Sequence, residues 1–170
     1  MASRLMSQDK LRILEFFIFH RNGTCLFHLD MQDKENERDK NIKNKALAPS
    51  TNKEAEHRYK LLYGMLFSMK SFVKTLSPKD KNEEKLKSLS TSKYTLHYAE
   101  YMNGLRFILM TSKTELSFID KLNIIHKRYY TNLISKNIFV NLEDQIKNDH
   151  FLDEVYKYLD EYNRGEGNAR

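Results

Sequence analysis

Apolar residues recur along this chain with two different periods. From Arg12 the run ILEFFIF is dense in aromatic and branched residues, breaks at Arg21, Asn22, Gly23 and Thr24, and resumes as CLFHL. That is the pattern of two buried strands joined by a hairpin. Asn22 and Gly23 both tolerate positive φ, so a type I′ turn and antiparallel pairing are expected. Between Tyr59 and Leu76 the period changes: Tyr59, Leu62, Leu66, Met69, Val73 and Leu76 alternate spacings of three and four and predict one long helical seam. Ser77 and Pro78 stop it. Strand-like runs return in LKSLST, YTLHYAE and LRFILMT, with Asn103 and Gly104 marking a second hairpin between the last two.

The last third reads as helix again. Phe118, Leu122, Ile125, Tyr129 and Leu133 form a stripe that Asn137 ends, and Ile138, Phe139 and Val140 are expected to tuck back onto the core. Asn141, with Asp144 three residues on, is the expected cap of a final section in which Phe151, Leu152, Val155, Tyr158 or Leu159, and Tyr162 face inward. The order of elements gives an α+β fold: a five-stranded antiparallel sheet with the long helix on one face and two C-terminal helices on the other. A length of 170 residues suits one domain, 1–170, with a loose leader over 1–11 and a mobile polar loop over 31–54, where Ser50, Thr51 or Asn52 can cap the long helix.

The long helix is too apolar for one buried face. At about 100° per residue, Leu61, Met65 and Phe72 fall on one shoulder of the seam, and Tyr63 and Phe67 on the other. Gly64 costs about 1 kcal/mol against alanine inside a helix, yet it lines up with Ser68 and Ser71 as a strip of small residues that lets another backbone approach. Leu61, Gly64, Met65, Ser68 and Phe72 are therefore candidates for one partner contact, and Tyr63 and Phe67 for another. The competing expectation is intramolecular: the strip receives a loop of this same chain, the one ending at Leu47 and Ala48.

Composition narrows the chemistry. The net charge of +6 comes with acidic residues interspersed among the basic ones and with lysine outnumbering arginine twenty to nine. That mixture describes a solvated surface, and no nucleic-acid partner is expected. No apolar run reaches the eighteen or so residues of a membrane helix, and the first residues lack the apolar core of a secretory signal, so a cytosolic protein is expected. The single cysteine, Cys25, excludes an internal disulfide and sits in an apolar alternation as an inert core thiol. Histidines at 20, 28, 57, 97, 126 and 150 show no metal-ligand spacing; His28 and His97 lie in strand patterns and are expected to face solvent. There is no Gly-rich phosphate loop and no nucleophile elbow. The expectation is a protein without catalysis, cofactor or metal.

FIFHRNGTCLFH, then YKLLYGMLFSMKSFV followed by LSP, then STSKYTLHY, then NGLRFILMTS, resemble the small sybindin-type subunits of the TRAPP vesicle-tethering complex, in order over most of residues 13 to 140. The resemblance implies a longin-like α+β fold and a non-catalytic role in the core assembly that tethers vesicles between endoplasmic reticulum and Golgi. It implies the other TRAPP core subunits as partners. A Rab GTPase would be met through the assembled complex, which acts as its nucleotide exchange factor, and membranes would be met peripherally, again through the complex. The alternative on fold alone is a longin-domain subunit of another trafficking machine, such as an adaptor small chain. The leader before Arg12 and the polar loop from Met31 to Asn52 are longer than the family leads one to expect, and the tail beyond Asn141 aligns with nothing in it.

Overall fold

A computed structural model describes residues 11–32, 53–77, 85–139 and 141–165. Strands β1 (Ile13–Phe19), β2 (Cys25–Asp30), β3 (Ser88–Ser90), β4 (Tyr94–Glu100) and β5 (Arg106–Ser112) form one antiparallel sheet in the order β2-β1-β5-β4-β3. Helix α1 (Lys53–Leu76) lies between β2 and β3 in the chain. Helix α2 (Ile119–Ile124) continues as a wider π-helix over Ile125–Ser135, and α3 (Asp149–Arg164) follows. This is the expected α+β, longin-like arrangement. The leader apart from Leu11, most of the polar loop with its capping candidates and Leu47 and Ala48, and Val140 fall outside the described residues.

Alternation along the strands sorts the core into two layers. Phe17, Phe19, Leu96, Tyr98 and Ile108 pack with Tyr59 and Leu66 of α1. Phe16, Ile18, Phe107 and Leu109 face the other way, onto Leu122, Tyr130, Phe151 and Val155 of the C-terminal helices. Period two places neighbours on opposite faces, so the aromatic run FFIF feeds both layers at once. The first strand is fastened by the last helix: Asn163 Oδ1 accepts from the Ile13 N–H at 2.6 Å and its Nδ2 donates to the Ile13 carbonyl at 3.1 Å.

Both hairpins correct the expected turn. His20 N–H donates to Thr24 O at 2.9 Å and Gly23 N–H to His20 O at 3.0 Å; Tyr101 N–H and Gly104 N–H repeat this with Leu105 O and Tyr101 O. Each is a five-residue connection in which the glycine takes positive φ, +94° at Gly23 and +79° at Gly104. Only the glycine is needed for its φ. The asparagine serves through its side chain, which accepts from Thr24 N–H at 3.0 Å and from Leu105 N–H at 3.2 Å.

Five further expectations change. His97 is 1% exposed and faces the C-terminal helices, with Thr111 hydrogen-bonded at 3.1 Å and the Phe118 ring 4.8 Å away. The β4 alternation puts it inward because the sheet face opposite α1 is covered by the C-terminal helices. His28 also turns from bulk solvent, as described below. Beyond Ile125 the π winding buries Ile134, leaving Leu133 of the expected stripe half-buried. Ile138 and Phe139 do not tuck in: they are 88% and 90% exposed, held out by a turn in which Asn137 Oδ1 accepts from Phe139 N–H. Asn148, not Asn141, caps the last helix, accepting from Phe151 N–H at 2.9 Å, while Asn141 spends its side chain on Glu143 N–H.

Candidate functional site

The sequence of α1 suits a helix end to end: Glu54 and Glu56 sit in the first turn and Lys74 in the last, matching the helix dipole. It is anchored to the sheet at two points. In its first turns Arg58 donates to Glu15 through both guanidinium nitrogens, at 2.9 and 2.6 Å. His28 Nε2 adds a third bond to Glu15 at 2.8 Å, and its Nδ1 meets the Tyr59 hydroxyl at 2.9 Å. An ionised carboxylate only accepts, so Nε2 carries the proton toward Glu15 and, in the neutral ring, Nδ1 accepts from Tyr59. Burial alone would raise the Glu15 pKa, but the hydrogen bonds of His28 and Arg58 and the guanidinium charge outweigh it and hold it at about 2. Burial also pushes the Tyr59 hydroxyl up to about 12, and the Cys25 thiol to about 12.

The second anchor lies at the hairpin end of the sheet. Tyr63 donates to the Arg21 carbonyl at 2.6 Å, its hydroxyl accepts from Arg106, and the Arg106 guanidinium sits 4.8 Å over its ring. Glu100 is paired with Lys70 of α1 and, at 3.4 Å, with Arg106. Burial works against its ionisation, but those two cations lower its pKa overall. Together the anchors fix the rotation of α1 about its own axis, and that rotation decides which residues face out.

The structure places the candidate contact residues in three environments. Tyr63 is committed inside the molecule. Met65 is half-buried, packed against the Phe17 layer. Leu61, Gly64, Phe67, Ser68 and Phe72 are exposed, Leu61 by 61%, Phe67 by 56% and Phe72 by 58%. Leu76, expected to end the buried seam, joins them at 66%. Of that seam only Tyr59 and Leu66 are fully buried, with Leu62, Met69 and Val73 half-buried.

Leu61, Met65, Phe72 and Leu76 share one flank, while Phe67 lies on the other. On the same sheet face, Leu86, Leu89, Tyr94 and Met110 are only partly covered. The apolar layer beneath α1 is therefore not fully covered by the helix. Between the flanks runs the small strip. A Cβ built on Gly64 meets nothing within 4 Å, so none of the described residues occupies the space above it. Ser68 donates to Gly64 O, Ser71 to Phe67 O and Thr75 to Ser71 O, at 2.9, 3.0 and 2.9 Å. With these protons satisfied four residues back, the strip can be covered without stranding a buried donor.

Sequence reasoning passed over Glu15, Arg58 and Asn163. The available signal was an acidic residue inside the most apolar run of the chain, ILEFFIF, which calls for a buried partner. Among the described residues, no group of His, Cys, Asp or Glu could hold a metal ion, and no helix is long and apolar enough to cross a membrane.

The Sybindin-like family matches residues 13–162, so the match, unlike the expected resemblance, continues past Asn141 through most of α3. Trafficking protein particle complex subunit 1 of Homo sapiens is 30% identical over 149 residues, which cover 88% of this chain and 92% of that protein. The Dictyostelium discoideum protein of the same name is 28% identical over 148 residues, covering 86% and 94%. Trafficking protein particle complex subunit BET5 of Saccharomyces cerevisiae is 32% identical over 126 residues, 74% of each chain.

Proposed function

The chain belongs to the Sybindin-like family, and from that premise we propose that it is a non-catalytic scaffold subunit of a TRAPP-type trafficking complex. Its mechanism is geometric. A sheet clamped to α1 holds one apolar helix flank and the partly covered sheet face toward a neighbouring subunit. The assembled core then offers a composite surface for nucleotide exchange on a Rab GTPase, in tethering between endoplasmic reticulum and Golgi.

The observation that carries this reading is the exposure of Leu61, Phe67, Phe72 and Leu76 on a helix already anchored at both ends of the sheet. Each such side chain contributes about 1.5 to 3 kcal/mol when covered, before ordering costs, so leaving four of them open is unfavourable unless a partner covers them. Gly64 and the satisfied hydroxyls beside it let that partner's backbone come close.

The test is a native pull-down of the full chain with mass spectrometry, wild type beside Gly64→Arg. A Cβ there meets none of the described residues within 4 Å, so the variant is expected to keep its fold, which its circular dichroism checks. Capture of trafficking-complex subunits by wild type and their loss with Gly64→Arg is the expected result. Capture by both moves the contact off the strip, and capture by neither removes the assembly reading.

A further inference from the structure

The helix after β5 is wound wider than an α-helix for eleven residues, Ile125–Ser135. Such geometry mostly occurs as a single turn, often at functional sites. Two bonds span five residues in it: Thr131 Oγ1 donates to His126 O at 2.8 Å, and Lys136 N–H to Thr131 O at 3.1 Å. The apolar spacing in the sequence is nevertheless that of an α-helix, running from Ile125 to Tyr129 to Leu133. In the structure the deepest residues are Ile125, Tyr130 and Ile134, all at most 1% exposed.

Tyr130 and Ile134 each follow a near-equivalent residue. The Tyr130 ring packs against Phe107 and Phe151, at 5.7 and 6.4 Å. Tyr129, one position earlier, lies beside Tyr158 at 5.6 Å, and Leu133 is half-buried next to Ile134. Slipping the helix by one residue exchanges tyrosine for tyrosine and leucine for isoleucine, so core volume and chemistry are nearly the same in both registers.

We propose that residues 125–135 form a register switch between the π winding and an α winding in which Tyr129 and Leu133 take the places of Tyr130 and Ile134. The slip has two outlets. One residue is about 100° of helix, so it re-aims the exposed pair Ile138 and Phe139. It also shifts the Leu133 carbonyl, to which the α3 cap Asn148 donates at 3.5 Å, and so reaches the start of α3. This goes beyond the subunit assignment and does not depend on it.

Register shifts of helices fall in the microsecond to millisecond range, which methyl relaxation dispersion on the full chain reads. Exchange at the Leu133 and Ile134 methyls with one common rate is expected. Ile134→Val weakens only the π register and raises the minor population about five-fold. Leu133→Ala removes the side chain that the α register buries fully and the π register only in part, and the exchange disappears. Thr131→Val, at a half-buried and nearly isosteric position in the same turn, removes a bond specific to the π form and acts in the direction of Ile134→Val, guarding against a variant that merely misfolds. Flat profiles in wild type and Thr131→Val, or exchange indifferent to all three substitutions, overturn the switch.

Discussion

Arg58 holds Glu15 with two nitrogens across the gap between α1 and β1, one side chain half in solvent and the other almost completely buried. The pair ties the helix to the sheet through a carboxylate that has no water to fall back on. Arg58→Met is expected to lower stability by about 2 kcal/mol, because it takes two charge-assisted bonds from a buried anion and leaves only that of His28. Urea unfolding of the two proteins checks this.

Acid should weaken the fold in two stages. Burial drives the His97 pKa from 6.5 down to about 4, so the ring takes up a proton on unfolding throughout that window. Stability therefore falls as pH drops from 6.5 to about 4, by up to about 3 kcal/mol at the lower end. Glu15 acts lower: its contribution is complete above 4.5 and is lost as pH falls toward 2. His97→Leu is expected to flatten the first stage and leave the second, measured as urea midpoint against pH.

Gly64→Ala separates stability from assembly. In the isolated chain the added methyl meets open space on a helix, so a gain of about 1 kcal/mol is expected. In the pull-down the same substitution is expected to weaken capture of partner subunits, since the glycine would be tolerated only for the sake of close approach. Thermal melts and capture yields moving in opposite directions are the signature.

Two other glycines make a controlled pair. Gly104 and Gly165 both take positive φ, but a Cβ on Gly104 would lie 2.9 Å from the Arg21 Cβ, whereas one on Gly165 meets nothing. Gly165→Ala should cost about 1 kcal/mol, the left-handed penalty alone, and Gly104→Ala clearly more. Denaturant midpoints measured in parallel decide it.

The alternations around Phe16 and Leu96 and the seam through Tyr59 and Leu66 made the sheet and its helical layers legible, because burial there follows local periodicity. What the sequence hid was set by distant neighbours. His97 is dry because α2 lies over it, a fact no strand pattern contains. The adjacent pairs Tyr129–Tyr130 and Leu133–Ile134 fit two windings, so their period alone could not choose between them. Of the candidate contacts, Tyr63 turned out to be spent within the chain on Arg21 and Arg106, since a tyrosine on a helix shoulder looks the same in sequence whether a loop or a partner receives it.

The sheet order also sets a timetable for making the protein. The first strand has its outer edge paired by β2 within a few residues, but its inner edge waits for β5, Ile13 opposite Thr111 and Phe19 opposite Arg106. On a ribosome adding 5 to 20 residues per second, ILEFFIF stands with an unpaired edge for roughly 5 to 20 s, and the clasp of Asn163 on Ile13 comes later still. Biogenesis of this chain is thus a race between sheet closure and adhesion of an aromatic edge to some other chain. Slowing elongation before residue 112 would lengthen the exposure without altering a single native contact.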